Sequence, residues 1–95
     1  MNGRALLAWN LRRLRGEHGI SQERLGADAG VDRAYVSEIE TEQSGATVDM
    51  IDKLAAVLEV PIGELFRLPK PGEKKPSVLP GGRRPREPGK VTRRR

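Results

Sequence analysis

Ninety-five residues with a formal net charge of +5, 36% hydrophobic and 3% aromatic, allow one small domain with a modest aliphatic core. The chain has no cysteine, which excludes disulfides and thiolate metal sites and agrees with a reducing, cytoplasmic setting. No apolar run approaches the roughly 20 residues that span a bilayer, and Ala5-Leu6-Leu7-Ala8-Trp9, followed at once by Arg12-Arg13, is too short for a signal-peptide core, so no membrane association is expected.

In chain order, the first helical pattern covers residues 4–17, with Leu7, Leu11 and Leu14 at i, i+4 and i+7 on one face. Trp9 stands off that stripe, against the chain exit, the last helix or a partner. His18-Gly19 ends the helix, with Gly19 as a left-handed stop. His18 has no cysteine or second histidine to share a metal with, so no metal site is expected. Ser21 caps a second helix whose Leu25 faces inward. A glycine inside a helix costs about 1 kcal/mol relative to alanine, so Gly26 implies close approach of another backbone. Ala29-Gly30-Val31 breaks the chain, and Asp32 is expected to cap a third helix over residues 33–40, with Val36 and Ile39 inside.

Thr41 to Ala46 is a polar loop. Thr47 caps a fourth helix with Asp49 in its first turn, where the helix dipole favours an acid. Ile51, Leu54, Ala55 and Leu58 repeat at helical spacing, and Val60-Pro61 is expected to stop the helix. Residues 61–66 (PIGELF) read as a short fifth helix carrying Ile62, Leu65 and Phe66. From Leu68 the composition changes to proline, glycine and charge, which predicts a helical domain over residues 1–67 and a disordered basic tail over residues 68–95. The charge divides the same way. Residues 1–66 hold seven Lys/Arg against eleven acids, net −4, and residues 67–95 hold eleven against two, net +9.

A tight pair of short helices at residues 21–40 is the arrangement that places a second helix in a DNA major groove. Several pieces agree in order and spacing: Leu11-Arg12-Arg13-Leu14-Arg15, Gly19-Ile20-Ser21-Gln22, Leu25, Gly30-Val31, Tyr35-Val36-Ser37, Ile39-Glu40, Leu54-Ala55 through Val60, and Leu65-Phe66. Together, over residues 8–66, they resemble the Cro/lambda-repressor-like helix-turn-helix family of DNA-binding proteins (the xenobiotic response element type). The resemblance implies an all-α domain of five helices and a transcriptional regulator, most commonly a repressor. It implies double-stranded DNA as partner, and with the marginal size of such a domain and the apolar Ile62/Leu65/Phe66 segment it leads to the expectation of a homodimer.

The resemblance also implies roles. Gln22 binds backbone phosphate from the start of the second helix, where free amides and the dipole favour an anion. Arg33, Ala34 and Glu38 face base edges with Ser37 beside them, and Tyr35, Thr41 and Gln43 contact the DNA backbone. Side-chain chemistry agrees: an arginine donates bidentately to guanine, alanine touches a thymine methyl, and glutamate accepts from a cytosine amine. Structural alternatives are a surface Arg33 paired with Asp32 or Glu38, a Gln22 that merely sits at a helix start, and a Tyr35 packed on the core with its hydroxyl at the rim.

Two departures stand out. Members of the family often follow the third helix with a glycine and a basic residue, whereas here Glu42 takes the glycine's place and residues 40–46 hold no Lys or Arg. Glu38 and Glu42, one turn apart, repel each other and phosphate. Arg24 stands where a capping-box acid would serve the second helix. In the tail, Arg83, Arg84 and Arg86 are the expected nonspecific phosphate contacts. A plain solubilising end is the simpler reading, and Gly82-Arg83-Arg84-Pro85-Arg86 resembles an AT-hook with Arg83 in place of its central glycine. No nucleophile–base pair, phosphate-cradling glycine loop or metal spacing is present, so neither catalysis nor a cofactor is expected. Two rival functions keep the helical domain: an antitoxin or restriction–modification controller with a protein partner, and a helical protein-interaction adaptor with an acidic surface.

Overall fold

A computed structural model describes residues 1–76. Four α-helices follow one another: α1 (Gly3–His18), α2 (Gln22–Ala29), α3 (Arg33–Glu40) and α4 (Val48–Leu58). A single 3₁₀ helix, Ile62–Phe66, closes the series. The expected fifth helix is therefore one tight 3₁₀ segment. Pro61 holds an extended backbone ahead of it, and five residues are too few to build successive α-turns.

Local chemistry sets the helix ends. The Asn2 side chain accepts the Ala5 N–H, Ser21 accepts that of Arg24, and Thr47 accepts that of Met50, so three starts carry side-chain caps. Asp32 occupies the cap position of α3 in extended backbone, but its side chain makes no capping bond. The cap expected there is a backbone one only. Gly19 (φ 66°) ends α1 in the left-handed conformation, as its position predicted, and Gly30 (φ 81°), expected to break the helix, ends α2 in the same geometry. At α4 the stop comes earlier than Val60-Pro61. The helix ends at Leu58, and Glu59 takes the left-handed geometry (φ 59°).

Leu7, Leu11 and Leu14 of α1 are buried with Leu25, Val36, Ile39, Ile51, Leu54, Leu58 and Leu65 in one aliphatic core. α2 packs on α3 and α4, while α1 packs on α3 and the 3₁₀ helix. Leu65 is fully buried, so it belongs to this core and not to an external apolar face. Ile62 and Phe66 remain 40% and 38% exposed.

Gly26 sets the α2–α3 spacing. A Cβ at that position would lie 2.7 Å from the Val31 carbonyl oxygen and 3.3 Å from the Arg33 backbone nitrogen. The turn thus passes directly over α2 at a point only glycine permits, which answers the helical cost noted from sequence.

Asn10 does a similar service at the other end. It is completely buried, and its Nδ2 lies 3.0, 3.2 and 2.9 Å from the carbonyl oxygens of Leu6, Leu65 and Arg67. Its Oδ1 accepts from Arg13 Nε at 3.1 Å. Arg13 reaches on to the carbonyl and carboxylate of Glu64. The polar face of α1 therefore holds the 3₁₀ helix and the chain leaving it.

Residues 67–76 continue in described structure past the Leu68 boundary. Lys70-Pro71-Gly72-Glu73 forms a turn with Gly72 at φ 81° and the Glu73 N–H bonded to the Lys70 carbonyl at 2.9 Å. The Glu73 carboxylate accepts the Lys70 N–H at 2.8 Å and pairs with Arg67 at 3.0 Å. Composition alone concealed this clasp. The tail residues Arg83, Arg84 and Arg86 lie outside the described residues.

Two outcomes follow. Gly26→Ala should destabilise the domain by about 1–3 kcal/mol, the usual cost of overpacking, as a lower urea midpoint at unchanged slope. The Lys70 amide first, and then the Arg67 charge, hold the Glu73 carboxyl below its ordinary value of 4.5. The clasp is then complete above pH 4.5 and is lost as the pH falls through the lower folded value. An NMR titration should give Glu73 a midpoint below 4.5, with the Lys70 amide moving at the same midpoint.

Candidate nucleic-acid interface

α3 has two faces of opposite character. Val36, Ile39 and Glu40 are buried, while Arg33, Ala34 and Glu38 are exposed and Ser37 is half-exposed. The four outward residues fall at i, i+1, i+4 and i+5, one strip of a helix. Arg33 forms no ion pair with Asp32 or Glu38, and among the described residues it has none at all. Glu38 is engaged on one side, its Oε1 accepting the Ser44 hydroxyl at 2.9 Å.

The inner face is held by a charge pair inside the fold. Arg15 Nε donates to Glu40 Oε2 at 2.8 Å and Arg15 Nη2 to Glu40 Oε1 at 2.9 Å, a bidentate fork. The two side chains are 0% and 2% exposed. Arg15 Nη1 also donates to the Ile20 carbonyl at 3.1 Å, and Gln22 Nε2 donates to Glu40 Oε1 at 3.1 Å. One cluster therefore ties the end of α1, the start of α2 and the end of α3. Gln22 spends one amide hydrogen on Glu40 and keeps its second N–H.

The loop after α3 is built from the same helix. Thr41 Oγ1 donates to the Ser37 carbonyl at 2.9 Å, and the Gln43 N–H reaches the Glu38 carbonyl at 2.8 Å. Thr41 and Gln43 are both exposed. Tyr35 is half-buried against the core, and its hydroxyl donates to the Gly45 carbonyl at 3.1 Å. Its proton is thus committed to the loop. Glu42 sits at φ 66°, the left-handed geometry that a glycine adopts without cost.

Sequence reasoning missed two contributions. The Arg15–Glu40 pair joins residues 25 positions apart, and its signal was an arginine and a glutamate at the ends of two helices, each next to the aliphatic stripe of its helix. Arg4 is the second. An added Cβ on Gly45 would meet Arg4 Nε at 3.4 Å. The start of α1 thus brings a cation to a loop whose own sequence has none.

Two short helices crossing over a glycine contact, the second showing a solvent-facing polar strip, define a helix-turn-helix domain. A family model described as helix-turn-helix matches residues 11–65, and the chain belongs to that family. Its members of the transcription-factor type bind DNA and are not enzymes. The chain is 40% identical over 67 residues to a hypothetical transcription factor of Neisseria meningitidis serogroup B, covering 70% of this chain and 63% of that protein. It thus spans less than two thirds of the length of this relative. The crystal structure of the hypothetical transcription factor NHTF from Neisseria superposes with a TM-score of 0.69 at 40% identity, over 72% of this chain and 78% of that one. The restriction-modification controller protein C.AhdI from Aeromonas hydrophila superposes with a TM-score of 0.64 at 38% identity, over 66% of this chain and 91% of that one. The clp gene regulator ClgR from C. glutamicum shares the fold, with a TM-score of 0.65 at 20% identity, over 68% of this chain and 84% of that one. Among the described residues no helix is long and apolar enough to cross a membrane, and no group of three His, Cys, Asp or Glu is placed to hold a metal.

Removing one partner of a buried, hydrogen-bonded ion pair costs about 3–5 kcal/mol, whereas replacing both with apolar groups is often near neutral. Glu40→Ala should therefore lower unfolding stability by that order, and Arg15→Met with Glu40→Leu should recover most of it. Urea unfolding followed by circular dichroism checks both. A single variant as stable as the parent would remove the pair from its structural role.

Proposed function

We propose that this chain is a sequence-specific transcriptional regulator that reads the major groove with α3. The observation that carries the reading is the outward strip Arg33, Ala34, Ser37 and Glu38, open to solvent on a helix whose other face is locked into the fold. Arg33, with no ion pair among the described residues, is the principal base reader. A bidentate arginine–guanine contact is worth about 1–3 kcal/mol of discrimination. Gln22 gives its second N–H to a phosphate, Thr41 and Gln43 present exposed groups to the neighbouring backbone, and Arg4 adds the charge the loop lacks. Tyr35 acts chiefly by holding the Gly45 carbonyl, and it contacts phosphate directly only when its proton leaves that oxygen. The tail arginines Arg83, Arg84 and Arg86 supply phosphate affinity that the acidic domain does not.

Two copies joined through the exposed Ile62 and Phe66 would present two α3 helices to half-sites about 34 Å apart on one face of the duplex. Blocking polymerase at such a site makes repression the favoured outcome, at the nucleoid. The likeness to the restriction-modification controller supports a controller as the second reading, with the same contacts. An adaptor reading rests on the carboxylates of Glu38 and Glu42, which repel phosphate.

Selection of bound sites from a random duplex pool tests the reading, and an adaptor would return no preferred sequence. Arg33→Ala should relax preference at one base position of the selected site. Gln22→Ala should weaken all sequences alike and leave the salt slope unchanged, because an uncharged amide releases no counterion. Equal losses on every sequence for Arg33→Ala would strike it from the base readers.

A further inference from the structure

Away from α3, a crevice of about 640 Å³ lies between the outer side of α1 and the chain after the 3₁₀ helix. Its lining includes five cations, Arg12, Arg13, Arg67, Lys70 and Lys74, against two acids, Glu17 and Glu73. None of its residues belongs to α2, α3 or the loop that follows α3.

The acids are already spoken for. Glu17 pairs with Arg13 at 3.4 Å, and Glu73 pairs with Arg67 at 3.0 Å. Arg12, Lys70 and Lys74 have no carboxylate partner among the described residues. The Nε atoms of Arg12 and Arg67 are covered by protein and have no hydrogen-bond acceptor among the described residues, so a group in the crevice reaches these side chains only through their terminal nitrogens. A covered N–H without a partner is costly, and the cost is greater beside a charge. Net positive charge and guanidinium forks select an anion, and a phosphate group matches both.

The lip of the crevice is itself constructed. Glu73 clasps Arg67 and the Lys70 amide, and Gly72 allows the turn that returns Lys74 and Pro76 to α1. Gly16 leaves the floor without a side chain. These features bring Lys70 and Lys74 back beside Arg12, where a straight chain would carry them away.

We propose that this crevice is an anion site for a phosphate group, seated between Arg12 and Arg67 with Lys70 and Lys74 over it. The site is separate from the α3 strip and stands whether or not that strip reads bases. The phosphate comes either from a free phosphorylated compound that regulates the protein or from the backbone of a duplex.

Pyrophosphate titrated into the full-length ¹⁵N-labelled chain provides the test. The amides of Gly16, Arg67 and Gly72 should move along a saturating curve. In the double variant Arg12→Gln/Lys74→Gln the apparent affinity should fall at least 10-fold, with α2 and α3 resonances unmoved as evidence of an intact fold. Contacts with the tail alone would leave these amides still, or titrate equally in both proteins, and either result overturns the site. Duplex binding by the same variant then distinguishes the source. A uniform loss on all sequences, with a lower salt slope, assigns the phosphate to DNA. Unchanged duplex affinity beside lost pyrophosphate binding assigns it to a free compound.

Discussion

The Arg15–Glu40 pair is the interaction on which the rest of this structure depends. It sits where three helix ends converge, almost wholly out of solvent, and the same carboxylate oxygen that takes Arg15 Nη2 also takes the Gln22 amide. The leucines and isoleucines of the core resist unfolding, but the hydrophobic driving force behind their burial has no direction of its own. The fork between guanidinium and carboxylate does have one. It fixes the rotation of α3 about its axis and thereby decides which residues of that helix meet solvent. Buried ion pairs seldom add much net stability over apolar replacements. Here the pair's contribution is to orientation.

The remaining polar contacts extend this frame outward. Tyr35 pins the loop that follows α3, Thr41 closes the last turn of that helix, and Asn10 secures the 3₁₀ helix to α1. Gly26 completes the frame by letting the turn cross α2 at backbone distance. The outward strip of α3 is thus presented by a scaffold that is restrained on three sides, which suits recognition of a rigid partner such as duplex DNA.

Much of the architecture was legible in the sequence because it follows local rules. The leucine spacing of α1, the left-handed Gly19, the break at Gly30 and the caps Ser21 and Thr47 are each decided within one or two helical turns. Gly26 was legible too, since its cost in a helix demanded a spatial reason. What escaped was nonlocal or a competition between similar geometries. Nothing near Arg15 announces Glu40, and nothing near Asn10 announces the carbonyls of Leu65 and Arg67. Asp32 looked like a capping residue, yet α3 begins without its side chain. Leu65 read as part of an external apolar segment, but a 3₁₀ helix turns it fully inward. Of the site, the exposure of Arg33, Ala34 and Glu38 followed from helical periodicity, whereas the approach of Arg4 to Gly45 required the folded chain.

Glu42 has a consequence of its own. Its backbone adopts a geometry that L-residues hold at a cost of roughly 1–2 kcal/mol, and its side chain is exposed in the loop that follows α3. One codon thus governs both the strain of the loop and its local potential. A glycine there would relieve that strain and remove one negative charge from the surface next to the outward strip of α3.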